Sequence, residues 1–437
     1  MKEVVAVRAR LHILGLLLMG ALILPPSIQA GGLFLTEIGT PDVGLAGAGW
    51  AARAQDASTL FKNPAGMSLL EGAQFQGGAQ LLYGDIGFTS NGKSTPSGGG
   101  GGNPIDVFPG ASGFYVHPLG DDWRVGFGIF SNFGLGLKYK GEWVGRYYVK
   151  DALLAGVSFM PTASYRVNEY LSVGGGVNVM LGAVKQTVGI NNLGSTNDGQ
   201  MQIKDQAVGV GGNIGVLFTP TRGTRFGLTY QSPIDLNFSD KPKFSNLGPI
   251  GTALQNNGLL NKKLDVGMTV PQSLMFSAYH DLTGAWAIMG DFGWQDWSEF
   301  GKVDIGVDTA NPTNLVANLN YQDTWHVAFG TQYRVNPAWV VSTGFAYDSS
   351  MVKDKNRTLS IPVGETYKFG FGALWQATRT LNLGFSYELT WIGDMPVDQN
   401  RGPLSGRVSG DFKNTTLNFF ALTVTWGEGV KMGPGGA

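Results

Sequence analysis

From about residue 72 onward the chain alternates apolar with small or polar residues at a period of two. Leu381, Leu383, Phe385, Tyr387, Leu389 and Trp391 share one face of a segment; Asn382, Gly384, Ser386, Glu388 and Thr390 share the other. Trp325, Val327, Phe329, Thr331, Tyr333 and Val335 alternate in the same way with His326, Ala328, Gly330, Gln332 and Arg334. Val208, Val210, Ile214, Val216 and Phe218 oppose Gly209, Gly211, Asn213 and Gly215. A period of two with one apolar face is that of a half-buried strand. Fourteen segments carry it, near 73–85, 108–118, 122–132, 151–167, 170–186, 204–219, 223–236, 267–281, 285–299, 320–335, 338–349, 365–377, 380–392 and 412–426. The connections at Leu119–Asp121, Asn168–Glu169, Pro220–Arg222, Leu282–Gly284, Asn336–Pro337 and Thr378–Arg379 are tight, and every other connection is long. Outer-membrane barrels have short periplasmic turns and long outer loops in this alternation. An even strand count brings both ends of the barrel to the short-turn side.

A soluble sandwich also alternates, but its wet face carries Lys and Glu, whereas here Gly, Ser, Asn and Thr fill the second face. Trp123, Trp286, Trp294, Trp339, Trp391 and Trp426 fall toward strand ends, where outer-membrane barrels place aromatic girdles. Composition points the same way. The 67 glycines in 437 residues are about 15%, against a usual ~7%, and charged residues are 14% against ~25%. After residue 24 there is no apolar run long enough for a membrane helix. A formal charge of −1 gives no basic footprint for nucleic acid, and a chain without cysteine has no disulfide scaffold. The expected fold is all-β, a fourteen-stranded antiparallel transmembrane barrel spanning residues 72–427. Its lumen faces are thinned by glycine, with about half the strand glycines expected at bulges or bends.

Residues 1–30 read as a secretory leader. Lys2, Arg8 and Arg10 precede the apolar stretch Leu11–Leu24, and Ala30 follows as a small residue for cleavage. An anchor helix is the competing reading. Residues 31–71 lack the alternation, and a helical stretch is expected over 43–54. Their apolar character favours a hatch plugging the lumen over a disordered periplasmic extension. Fourteen strands enclose more than the eight-strand barrel that side chains alone fill. Arg53 and Asp56 are expected to pair within the hatch, or to bond to the wall. Residues 428–437 form a tail beyond the last strand.

Chemistry for catalysis is sparse. His117, His280 and His326 are scattered, and no nucleophile-elbow or zinc-protease motif occurs. A hydrolase triad assembled from distant strands around His117 or His326 is the enzymatic alternative, with no nucleophile–base motif in its favour. No catalytic residue, metal ligand or cofactor is assigned, and the chain is not read as an enzyme. His326 should face the lumen near Gln332 and Arg334. Binding residues are better indicated. Phe133, Leu135 and Leu137 precede Trp143, Arg146 and Tyr147 in a long-loop region. Exposed apolar residues above a barrel would form a collecting groove for apolar ligands. Arg146 is either a bidentate partner for a ligand carboxylate or a tether between loops. Arg124, Arg334 and Lys368 are inward-facing candidates for the same carboxylate, or else partners of acidic groups on neighbouring strands. The run Gly98–Gly102 reads as a mobile, low-complexity loop.

Four stretches resemble the FadL-type outer-membrane transporters and the related TodX-type hydrocarbon channels. They are Gly32-Leu33-Phe34-Leu35-Thr36-Glu37 ahead of Gly44-Leu45-Ala46-Gly47-Ala48-Gly49, and Asp56-Ala57-Ser58-Thr59-Leu60-Phe61-Lys62-Asn63-Pro64-Ala65-Gly66. Trp143-Val144-Gly145-Arg146-Tyr147 and Pro271-Gln272-Ser273 ahead of Trp294-Gln295-Asp296-Trp297-Ser298 complete the set. The resemblance implies a plugged barrel in the outer membrane of a Gram-negative bacterium. It implies passive uptake of fatty acids or hydrocarbons, with capture by outer loops and lateral release near a kinked third strand. It places Asn63, Pro64, Ala65 and Gly66 beside that exit, with Asn63 supplying hydrogen bonds to exposed strand edges. The implied partners are hydrophobic small molecules, outer-membrane lipid and lipopolysaccharide, and the assembly machinery, with the chain a monomer. The chain departs from the resemblance after Trp426, where members usually finish on an aromatic. A general diffusion porin for hydrophilic solutes is the alternative function.

Overall fold

The computed structural model describes residues 33–105, 107–193, 197–260, 262–307, 313–430 and 432–434. The leader expected over residues 1–30 lies outside the described residues. The strands in chain order are β1 (Gln74–Ser90), β2 (Val107–Leu119), β3 (Trp123–Lys138), β4 (Asp151–Arg166), β5 (Leu171–Ile190), β6 (Gly199–Thr221), β7 (Thr224–Gln231), β8 (Ile234–Asp240), β9 (Lys243–Ser245) and β10 (Leu264–Val270). They continue with β11 (Ser273–Thr283), β12 (Trp286–Gln295), β13 (Lys302–Val307), β14 (Thr313–Asn318), β15 (Thr324–Asn336), β16 (Trp339–Asp348), β17 (Thr366–Thr378), β18 (Leu381–Asn400) and β19 (Arg407–Gly427).

Fourteen of these, β1–β7, β11, β12 and β15–β19, form a closed antiparallel barrel. Closure is by β1 against β19, from Gln74 opposite Gly427 to Ser90 opposite Gly410. Alternation assigns the two faces: Trp325 is 48% exposed and faces lipid, while its neighbour His326 is 4% exposed and faces the lumen. Trp123, Trp286, Trp339 and Trp426 are exposed at strand ends, as a girdle requires, while Trp391, also exposed, falls in the middle of β18 because that strand runs on to Asn400. Trp294 differs: it is half-buried and donates to Asp323 at 3.0 Å.

Two expected segments divide. The stretch 223–236 splits into β7 and β8, and 267–281 into β10 and β11. Pro233 and Pro271 stand at the two breaks. Neither can donate to a ladder, so each chain leaves the barrel there and continues above its rim. There β8, β10, β13 and β14 make a separate four-stranded sheet. Leu236, Phe238, Leu264, Val266, Met268 and Ile305 are buried in it and merge with the apolar core under the loops.

Residues 33–71 fill the lumen without the expected helix over 43–54. A 3-10 turn, Pro41–Leu45, is followed by tight turns, then a short α-helix Thr59–Lys62 and a second 3-10 segment Pro64–Leu69. Gly44, Gly47 and Gly49 interrupt the stretch, and glycine disfavours helix interiors. The wall glycines opposite let the hatch backbone touch the wall backbone. A Cβ at Gly370 would stand 2.5 Å from the Ala46 nitrogen.

The Gly98–Gly102 run is ordered, against expectation. Its backbone pairs with the next loop through Gly99 N to Glu142 O (3.0 Å), Val144 N to Gly99 O (2.9 Å) and Lys140 N to Gly101 O (2.7 Å). Gly98 has φ 153°, and a Cβ there would sit 2.7 Å from three backbone atoms of residues 142–144. Glycine at this position is therefore a packing requirement.

Candidate functional site

The wall is incomplete between β2 and β3. β2 pairs with β1 from Val116 opposite Gln74 up to Val107 opposite Tyr83. It pairs with β3 only from Leu119–Trp123 to Gly113–Ile129. Beyond that rung β3 bends away, with a bulge between Phe130 and Phe133 in its pairing with β4. Gly134 shapes the bend: it has φ 150°, and a Cβ would stand 2.6 Å from the Leu154 carbonyl oxygen. An unpaired edge inside a membrane is costly unless its groups find partners.

The start of the hatch supplies them. Leu35 N donates to Asn132 O at 2.8 Å, and Gly134 N donates to Leu33 O at 3.2 Å. Phe34 and Phe133 form an antiparallel bridge, with rings 5.9 Å apart edge to face. Phe61 stacks on Phe114 at 5.7 Å and meets the tilted ring of Phe130 at 4.6 Å, beside the last paired rung. Leu35, Leu82, Ile105, Phe108, Phe133 and Leu135 line a cavity of about 40 Å³ at this gap.

The same hatch segment carries charge two residues on. Lys368 donates to Glu37 at 2.9 Å and to the Thr36 hydroxyl at 3.2 Å, and lies 3.4 Å from Asp348. His326 bonds Asp348 at 2.6 Å. Burial would raise the Glu37 carboxyl, but the Lys368 ammonium and the bonds it receives hold it below its ordinary value. The Glu37 carbonyl also accepts from Gln80 at 2.6 Å.

The rest of the hatch is fastened differently. Asp42 lies buried between Arg53 at 3.0 Å and Lys62, and Arg53 reaches Asp56 at 2.6 Å. Burial opposes ionisation of Asp42, yet the two cations hold its carboxyl well below the usual range. Wall arginines grip hatch carbonyls: Arg124 takes Leu70 O at 3.0 Å, Arg225 takes Arg53 O at 2.5 Å, and Arg166 takes Ser68 O.

The predicted site residues are placed as follows. Phe133, Leu135, Leu137, Trp143 and Tyr147 do gather, but they are buried in the loop core and form no exposed groove. Trp143 stacks on Tyr139 with centroids 3.7 Å apart and donates to Val149 O at 2.7 Å. The loops close over one another because their apolar residues find partners in neighbouring loops. Arg146 is the tether of the two readings. It bonds Asp198 at 2.6 Å and Ser97 O at 2.6 Å, and lies over the Tyr147 ring. Burial and the Asp198 carboxylate push the Tyr147 hydroxyl up to about 12.

Arg124, Arg334 and Lys368 do face inward, but they do not converge. Arg124 also caps the turn carbonyls of Gly120, Asp121 and Trp123. Arg334 holds the carbonyls of Met432 and Pro434. Lys368 alone has a counter-ion carried by the hatch. His326 is in the lumen as expected but meets Asp348; Gln332 instead accepts from Gln55 at 2.9 Å. The residues are six apart along an extended strand, too far to share a side-chain contact.

Asn63 is also corrected. Its amide donates to Ala51 O (2.7 Å) and to Val216 O of β6 (3.0 Å), while its carbonyl accepts from Ala65 N (3.1 Å). It orders the Pro64–Leu69 turn against β4–β6 and gives no bond to the β3 edge. Leu33, Phe34 and Leu35 do that, with Glu37 paired to Lys368 just beyond them; the sequence marks this stretch as part of the family resemblance but does not show which strand it meets.

The family model described as "Outer membrane protein transport protein (OMPP1/FadL/TodX)" matches residues 22–426. Outer membrane protein P1 of Haemophilus influenzae is 28% identical over 406 residues, covering 82% of this chain and 86% of the relative. The long-chain fatty acid transport protein of Escherichia coli O6:H1 is 26% identical over 396 residues, with 82% and 86% covered. The crystal structure of a Pseudomonas aeruginosa FadL homologue superposes with a TM-score of 0.80 at 20% identity, covering 90% of this chain and 99% of that one. With the plugged fourteen-stranded barrel, these matches establish that the chain belongs to the OMPP1/FadL/TodX family of outer-membrane transport proteins.

Proposed function

We propose that this chain takes up hydrophobic compounds passively, gathers them under the outer loops and releases them sideways between β2 and β3. The observation that carries the reading is the unpaired β3 edge, which, among the described residues, the hatch bonds through Leu33–Leu35. An apolar solute gains roughly 25 cal/mol per Å² buried among the loop side chains. Lateral exit then spares it the periplasmic water. The ligand class is long-chain fatty acids or hydrocarbons, in keeping with the name of the E. coli relative. For a fatty acid, Lys368 is the cation to which a carboxylate passes, replacing Glu37. A hydrocarbon needs only the apolar path. The diffusion-porin reading would require an open lumen, and the hatch packs backbone to backbone on the wall. One copy carries the whole gate, so the chain acts as a monomer.

The chain has no cysteine, so a single engineered disulfide is a clean test. Phe34→Cys with Phe133→Cys joins the bridged pair. Oxidation should stop uptake of a radiolabelled fatty acid or of toluene in cells, and reduction should restore it. Unchanged uptake in the fully oxidised protein would sink lateral release. Mass spectrometry of co-purified ligand then separates the two ligand classes.

A further inference from the structure

The lipid-facing sides of β5 and β6 change character at the same height. On β5 the exposed apolar positions run from Val173 through Val177 to Leu181. On β6 they run from Phe218 back through Val216, Ile214 and Val210 to Val208. Counted from Leu171 and from Phe218, each run takes about ten residues, and at a rise of about 3.4 Å and a tilt of about 40° that is roughly 26 Å, the height of an outer-membrane apolar band. Past Ala183 and Gln206, on the long-loop side, stand Lys185 and Lys204, directly opposite one another in the ladder. Residues opposite one another share a face, so the same outward face continues to Lys138 of β3, opposite Asp151 of β4, and to Lys243 of β9, opposite Gln202 of β6. Lys138, Lys204 and Lys243 are exposed.

Like charges directly opposite one another destabilise a ladder. Lys185 is relieved by Asp151 at 2.6 Å. Among the described residues no acid pairs with the ammonium of Lys138, Lys204 or Lys243. The belt therefore carries more positive charge than the chain itself neutralises, just above an apolar surface. The rim is not basic all round. Where β1, β17, β18 and β19 leave the apolar band, the exposed charges are mostly acidic: Asp85, Glu365 and Asp394 against Lys413. Long loops mark the extracellular side of an outer-membrane barrel, so the lysine belt stands at the head-group level of the outer leaflet.

We propose that the outward face of β3–β6 and β9 is a binding site for the phosphorylated, multiply acylated glycolipid of the outer leaflet, the lipid A part of lipopolysaccharide. Its phosphates sit among Lys138, Lys185, Lys204 and Lys243, and its acyl chains lie along Leu181, Val208 and Val210. Clustered lysines at a membrane surface are a recurring means of holding anionic lipid head groups. The apolar strip beneath them separates this site from one for a free anion, which has no use for it. The site lies on the lipid side of the wall, outside the lumen, and the inference does not depend on which solute the lumen carries.

The full chain in detergent micelles, with bis-phosphorylated lipid A added, serves for the test, and native mass spectrometry reads the retained glycolipid. Lys185→Gln combined with Lys204→Gln should weaken retention at least about tenfold, as the loss of two cations at the head group implies. Lys413→Gln, on the acidic side of the rim, should leave it at the parental level. Heat-modifiable gel migration shows that each variant is folded. Lipid A stripped of its phosphates should bind the parent as weakly as the phosphorylated form binds the double variant. Parental retention in the folded double variant, or an equal loss in Lys413→Gln, would overturn the proposal. Displacement of lipid A by an equal concentration of inorganic phosphate would reveal a site for the free anion and would overturn it as well. Amine labelling of the parent needs no variant and decides the matter should the double variant fail to fold. Bound lipid A should slow modification of Lys204 severalfold more than that of Lys413, and equal slowing of the two would sink the assignment.

Discussion

The two ends of the hatch are held by different physics. From Asp42 to Leu70 the chain is cross-linked to itself by Arg53, Asp42, Lys62 and Asp56, and to the wall by Arg124, Arg166 and Arg225. From Leu33 to Glu37 it is held by two backbone bonds to β3, the Glu37–Lys368 pair and the Gln80 contacts. The first set buries several charges whose loss leaves partners stranded. The second is short, sits at one end of the segment, and includes a carboxylate that another carboxylate can replace. Under the proposed function the hatch is a fixed body with a movable end, and that end lies over the gap in the wall.

The contrast is broken most severely at Asp42. Asp42→Ala strands Arg53 and Lys62 in a buried site, and removing one partner of a buried pair costs about 3–5 kcal/mol. The expected outcome is a hatch cleaved by added protease while the barrel still migrates as folded; resistance equal to the parent would refute the fixed-body reading. Gly134→Val comes next. It forces a branched residue into a left-handed conformation and against Leu154 O, with strain of roughly 1–3 kcal/mol. Uptake should fall, and disulfide trapping between Phe34→Cys and Phe133→Cys should slow, because the bend that presents β3 to the hatch is altered. Leu35→Pro is milder. It removes one donor to Asn132 O, a net effect of about 0.5–1.5 kcal/mol, and should speed labelling of Phe133→Cys without exposing the Asp42 region to protease.

The smallest effect is expected from pH. Asp42 and Glu37 both have folded values below their ordinary ones. Their stabilisation is present above the unfolded range, ~3.9 to 4.3, and is lost only as pH falls through the lower folded values. Between pH 7 and 5 neither Asp42 nor Glu37 should take up a proton, so the contacts of these two carboxylates should hold and protease cleavage next to residues 37 and 42 should not increase. A loosening confined to residues 33–37 in that window would show that the latch depends on another group of its network.

The barrel was legible because its rule is local: each strand announces its faces at a period of two, and tight turns mark one rim. The two strands broken at Pro233 and Pro271 looked continuous because alternation persists on both sides of the break. Only the prolines signalled that the chain leaves the wall. The site was less legible, since it is made of contacts far apart in sequence. A loop position suggests exposure for Phe133 and Trp143, but their burial depends on Phe34 and Phe88 arriving from elsewhere. Lys368 was found by its inward position; its partner Glu37 is 331 residues away. Asn63 was assigned to the exit by resemblance, and the bond to Val216 places it against a different part of the wall.

The pairing of Leu33–Leu35 with β3 also fixes an order of events during assembly. Closure of the ring needs only β1 and β19, whose ladder runs from residue 74 to 90 and from 427 back to 410. The residues that cover the gap precede all of these in the chain, yet their docking edge exists only once β3 has bent away from β2. The segment that precedes every strand in the chain thus has no seat of its own until β3 and β4 have paired, and its fold is borrowed from residues that come after it.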